Sequence, residues 1–136
     1  MKKIIICSVI PLMLSFIYCS NGEYKKAESY LSNIIELQNE CAEKLESAKN
    51  MNDFIMILNK FNDESLIIYN KIIMLKKKYP DIGINDGNNI KSLENILEKN
   101  SIKIKTIITK KYLTDSKNSE FIRAFQNFND FKTPIF

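Results

Sequence analysis

Residues 50–80 read NMNDFIMILNKFNDESLIIYNKIIMLKKKYP, and their spacing decides the fold. Phe54, Leu58, Phe61, Ile68, Ile72, Leu75 and Tyr79 recur at three- and four-residue steps, the period that aligns side chains on one helix face. Ser65 is the polar interruption of that series. Ile57, Ile67 and Ile73 broaden the apolar stripe, as expected of a helix with two neighbours. Asn50 stands where a side chain can cap the first turn, and Asp53 adds a carboxylate to its positive end. Pro80 stops the pattern, while Lys76, Lys77 and Lys78 place cations at the carbonyl end. A helix over about 51–79 follows from these signals together.

The same period extends to both sides. Tyr24, Ala27, Leu31, Ile34, Cys41, Leu45 and Ala48 form the seam of a helix over about 23–49, with Gln38 as its polar member. Gly83, Gly87 and their polar neighbours mark a loop after Pro80. Asn88 or Asn89 can then cap a third helix over about 89–112, with Ile90, Leu93, Leu97, Ile104, Ile107 and Ile108 facing inward. Asn100 and Ser101 are its weak point, where the helix has room to kink. A looser stretch from Thr114 leads to a short helix over about 119–130. Short connections make consecutive helices antiparallel. The expectation is an all-α protein: an antiparallel three-helix bundle with a short C-terminal helix, forming a single helical domain over residues 24–136.

Composition agrees and excludes several classes. The chain has 136 residues, 45% hydrophobic and 26% charged, enough for one packed core. Setting aside Lys2 and Lys3, the 20 basic residues become 18 against 16 acidic, so a net charge of +4 becomes +2. Arg123 is the only arginine. That balance gives no case for a nucleic-acid partner. The chain contains no histidine. The commonest general base and the commonest ligand for zinc, haem and copper are therefore absent. No glycine-rich phosphate loop occurs either, so no metal, cofactor or enzymatic activity is expected.

The N-terminus has an address rather than a chemistry. Met1, Lys2 and Lys3 precede an apolar run from Ile4 to Tyr18 that is shorter than the ~20 residues a spanning helix requires. Residues 1–18 read as a signal peptide. The run ends in Phe16-Ile17-Tyr18-Cys19-Ser20-Asn21, which resembles the lipobox of bacterial lipoproteins. The resemblance implies cleavage before Cys19, acylation of that cysteine with fatty chains such as palmitate, and a lipidated tether over residues 19–23. Tyr18 stands where that family usually has a small residue. Cleavage after Gly22, releasing a soluble secreted chain, and retention of the leader as an anchor both stay open. Cys7 leaves with the leader, so Cys41 remains without a disulfide partner.

A second resemblance lies in Ala48-Lys49-Asn50-Met51-Asn52-Asp53, Leu58-Asn59-Lys60-Phe61 and Leu75-Lys76-Lys77-Lys78-Tyr79-Pro80-Asp81. These segments look like those of small exported bacterial helical proteins whose hairpin has the same cap and the same Lys-Tyr-Pro ending. The likeness covers about residues 24–82 and implies fold and export only.

Four groups of side chains compete between functional and structural readings. Glu36, Glu40 and Glu43, with Glu46 near, form an acidic side of the first helix, either a patch for a cation or a basic partner or a solvated face near Lys103, Lys105, Lys110 and Lys111. Cys41 is a thiol on an apolar seam, read as core. Lys76, Lys77 and Lys78 either complement the helix end or face anionic lipid near the anchor. Phe121, Phe125, Phe128 and Phe131 share one face, which either folds back over the bundle or forms a partner surface.

The resulting expectation is an envelope lipoprotein, held to an outer membrane or cell surface, acting as a non-enzymatic interaction module whose protein partner is unknown. The alternative is a helical carrier of an apolar small molecule, with Gln38, Ser65 and Asn100 orienting the ligand.

Overall fold

The computed structural model of the chain describes the backbone of residues 10–82, 87–112, 117–130 and 136, and the side chains of residues 22–82, 89–112, 117–129 and 136. It contains α1 (Ile10–Ser47), α2 (Met51–Lys78), α3 (Gly87–Tyr112) and α4 (Ser119–Asp130). No strand occurs among the described residues. The all-α bundle with a short C-terminal helix is the architecture observed.

Two boundaries differ from the sequence pattern. The helical backbone of α1 begins at Ile10, upstream of the expected residue 23, and runs through Cys19. The stretch from Leu12 to Gly22 holds no proline, so nothing in it interrupts the backbone ladder. At α3, helix is already present at Gly87, so Asn88 and Asn89 lie inside the first turn. The helix also passes through Asn100 and Ser101 without a break.

The caps are local chemistry written in the chain. Asn50 adopts an extended conformation (φ −147°, ψ 171°), and its Oδ1 accepts from the Asp53 N–H at 2.9 Å. Its Nδ2 donates to the Asp53 carboxylate at 2.9 Å, so the two residues are joined twice. At the other end of α2 the Tyr79 N–H donates to the Leu75 carbonyl at 2.9 Å before Pro80 turns the chain. Asn118 caps α4, accepting from Glu120 N at 3.0 Å and Phe121 N at 3.1 Å.

α1 is the helix on which both α2 and α3 pack, and α4 lies on α2. The tight turn at Asn50 makes α1 and α2 antiparallel, and α3 runs parallel to α1, since residues further along one bond residues further along the other. Cross-bonds fix that parallel register: Gln38 Nε2 donates to the Leu97 carbonyl at 3.2 Å and to Ser101 Oγ at 2.9 Å. Asn100 donates to Asn39 Oδ1 at 3.0 Å. Further along, Lys111 Nζ donates to the Leu45 carbonyl at 3.1 Å and also to that of Glu46, capping the carbonyl end of α1 from a different helix.

The core has two lobes. One holds Leu45, Phe54, Leu58, Ile104, Ile108, Phe121 and Phe128 among others, near the Asn50 turn. The second holds Ala27, Leu31, Ile34, Ile72, Leu75, Ile90 and Leu97, towards the Tyr79 end. Each fully buried leucine, isoleucine or phenylalanine contributes about 1.5–3 kcal/mol. Buried Gln38 and Ser65 belong to neither apolar lobe.

α4 runs parallel to α2. Phe121 meets Phe54 with ring centroids 5.7 Å apart, and Phe128 meets Phe61 at 5.6 Å. Between these contacts, buried Asn62 donates from Nδ2 to the Ala124 carbonyl at 3.0 Å. Phe136 returns to the other lobe, where its N–H donates to Glu94 at 2.7 Å. Phe121→Ala should therefore lower stability by about 3–5 kcal/mol, the usual cost of truncating a buried ring. Phe125→Ala, at a half-buried ring, should cost less than half as much in the same urea titration. Equal losses would mean that α4 is not docked through Phe121.

Candidate functional site

The sequence-predicted groups occupy different places. Phe121 and Phe128 are buried in the core, and Phe125 is half-buried, stacked on Phe121 at 6.1 Å with planes 6° apart. Phe121 and Phe128 face the bundle and hold α4 to α2, the folding-back arrangement of the two left open by the sequence. Phe131 lies outside the described residues, and so does the side chain of Cys19. Lys76, Lys77 and Lys78 are exposed at the end of α2. That end meets the start of the described part of the domain: Glu23 and Tyr24 share a shallow cleft with Lys78, Tyr79 and Ile82. The Lys78 ammonium stands 5.2 Å from the centre of the Tyr79 ring.

The acidic side of α1 is spent on ion pairs as well as on solvent. Glu40 accepts from Lys44 one turn on, and Glu46 faces Lys103 of α3 at 3.7 Å. Glu36 and Glu43 are exposed. Among the described residues no three carboxylate or thiol groups stand close enough to hold a metal ion.

The feature that periodicity could not show lies between α1 and α2. Leu37 and Cys41 from one helix, with Ile57 and Phe61 from the other, form the floor of an open groove of about 330 Å³. Its rim carries Glu40 with Lys44 and Lys60 with Glu64, the latter pair at 3.8 Å. Met56 overhangs one edge and is 67% exposed. Cys41 contributes to this floor a side chain smaller than Leu31, Ile34 or Leu45 of the same seam.

The groove's chemistry is that of contact. Burial pushes the Cys41 thiol up to about 12 from an ordinary 9.0, with the Glu40 carboxylate adding to the effect, so it stays protonated at neutral pH. The hydrogen bond from Lys44 holds Glu40 below the ordinary carboxylate value, and the same bond raises Lys44. Neither group is poised to exchange a proton near neutrality. What the groove presents is an apolar floor and a rim of both charges.

No described helix is long and apolar enough to cross a membrane. Comparison with protein families, with curated proteins and with solved structures finds no match to this chain.

Buried Cys41 and half-buried Tyr69 give the fold an alkaline limit. Burial likewise raises the Tyr69 hydroxyl to about 12 from 10.0. Both folded values exceed the unfolded ones, so this contribution to stability is whole below about pH 9 and is lost as pH rises towards 12. Thermal midpoints should fall across that window, and Cys41→Ala should make the fall shallower. A profile unchanged by that substitution would contradict the burial of the thiol.

Proposed function

We propose that this chain is a lipid-anchored, non-enzymatic interaction module of the cell envelope, with the α1–α2 groove as its docking site. The groove carries the reading: an apolar floor left open on a bundle whose other seam positions are largely filled. The lack of histidine and the protonated state of Cys41 support binding rather than catalysis. The occupant is a protein segment that inserts an aliphatic or aromatic side chain between Leu37, Cys41, Ile57 and Phe61. Charges of both signs flanking that side chain would pair with the rim.

The lipobox-like Cys19 supplies the anchor. It precedes Tyr24, so the tether leaves from the end of the bundle where α2 terminates. Cys41 lies about 25 Å further along α1, at ~1.5 Å per residue. The groove is thereby held away from the lipid attachment point, in reach of a second envelope component.

A photoreactive residue in place of Met56, introduced in the native host, tests this directly. Irradiated envelopes should yield a discrete higher-mass adduct from position 56 and none from the same residue at Lys99, an exposed position on α3. No adduct, or equal adducts from both positions, would remove the groove as a protein-docking site. The carrier reading has one observation in its favour. The groove's volume stands at the lower end of the roughly 300–1,000 Å³ typical of small-molecule sites. An adduct at position 56 of small-molecule mass would favour that reading instead.

A further inference from the structure

The second half of α2 has an apolar side that nothing in the described chain covers. From Ser65 to Lys78 the helix reads SLIIYNKIIMLKKK. Ser65, Ile72 and Leu75 are buried against α1, and Ile68 and Tyr69 are half-buried beside them. Leu66, Ile67, Ile73 and Met74 are 53%, 59%, 61% and 73% exposed. Ile67 and Ile73 were expected to meet a second neighbour, and the structure corrects that expectation. α4 is that neighbour only where it reaches Phe54, Phe61 and Asn62, and α2 continues beyond it. Leu66 with Ile73, and Ile67 with Met74, are seven residues apart, so each pair stacks two turns apart on one side of the helix.

Within this segment the charges have one sign, and Glu23 and Asp81 adjoin only its last residue, Lys78. Lys71, Lys76, Lys77 and Lys78 fall within the segment, and no carboxylate does. The first half of α2 differs: Asp63 and Glu64 line a polar depression together with Glu120 of α4. The outer surface of one helix thus passes from acidic and polar to apolar and basic. The basic, apolar half is the one adjoining Glu23 and Tyr24, where the tether leaves.

An apolar strip flanked by lysines whose long stems let the ammonium groups rise to phosphate is how a helix lies in a membrane interface. We infer that the outward side of α2 from Leu66 to Lys78 rests on an anionic lipid bilayer. Leu66, Ile67, Ile73 and Met74 enter the boundary between headgroups and acyl chains, and Lys71, Lys77 and Lys78 meet headgroup phosphates. The inference rests on the anchored reading above, because the tether brings this end to the membrane. Asp63, Glu64 and Glu120 are repelled by the same surface, so the bundle tilts with its Asn50 end raised.

The chain contains no tryptophan, which makes a single introduced indole a position-specific reporter. In the full-length protein, Met74→Trp should show a blue-shifted emission on vesicles of mixed phosphatidylglycerol and phosphatidylcholine. The shift should be lost on pure phosphatidylcholine, and lost again when Lys71, Lys77 and Lys78 are changed to glutamine. Lys99→Trp on α3 should show no shift under any of these conditions. No shift at position 74 while the chain sediments with anionic vesicles would overturn the inference. So would equal shifts at 74 and 99, or a shift without lipid that grows with protein concentration, which would identify a second copy as the occupant. The readout does not depend on Cys19: a shift at 74 in a chain found unacylated in its host would keep this contact and discard the lipid anchor.

Discussion

The buried amide of Gln38 is the constraint on which the rest of the bundle depends. α1 is the shared helix, and its register against α3 is set where Gln38 donates to the Leu97 carbonyl and to Ser101. Sliding α3 by a turn would leave that amide unbonded in an apolar setting, at a cost of about 1–3 kcal/mol. Leucine in its place could pack in several registers with similar energy, and so would specify less. Once this register holds, Lys111 reaches the last carbonyls of α1, and Tyr112 reaches Phe54 with ring centroids 4.1 Å apart. Phe121 then packs on Phe54 and brings α4 onto α2. A chain whose described cysteine is a free, buried thiol relies on such contacts throughout.

Much of this fold is legible in the sequence because helices announce themselves through period and punctuation. The seam of α1, the Asn50 cap, the proline stop after Tyr79 and the shared face of the α4 phenylalanines all follow from spacing and residue chemistry. Less legible is how many neighbours a helix meets. Ile67 and Ile73 widen the stripe of α2 in the same way as Ile57, yet Ile57 is half-buried beside the core while the other two face outward. Only the length and placement of α4 separate these cases, and neither is encoded in α2. Asn62 is a similar case. It reads as a surface residue by type, and it is buried because Ala124 of another helix offers it a carbonyl. Asn118 caps α4 through its side-chain oxygen, as Asn50 caps α2.

The candidate site was the least legible part. A groove is a volume, and volume depends on which side chains oppose one another across two helices. Cys41 reads as core from its seam position, and it is buried. That it lines an open groove with Ile57 and Phe61 depends on the α1–α2 register, which no single helix pattern contains. The aromatic face of α4, by contrast, was visible in sequence, and the structure gives it an inward role. The molecule that results has two distinct outer regions: a basic, apolar surface near the chain's entry into the bundle, and an open groove further along the same hairpin.

The proposed lipid anchor at Cys19 would give these two regions their meaning, since it would decide which end of the bundle faces a membrane. The intact mass of the mature protein from its native envelope, compared with that of Cys19→Ala, tests the anchor most directly. A chain beginning at Cys19 with the added mass of acyl groups, absent from the variant, is the predicted result. An unmodified chain beginning near Glu23 would contradict it and identify a freely diffusing protein.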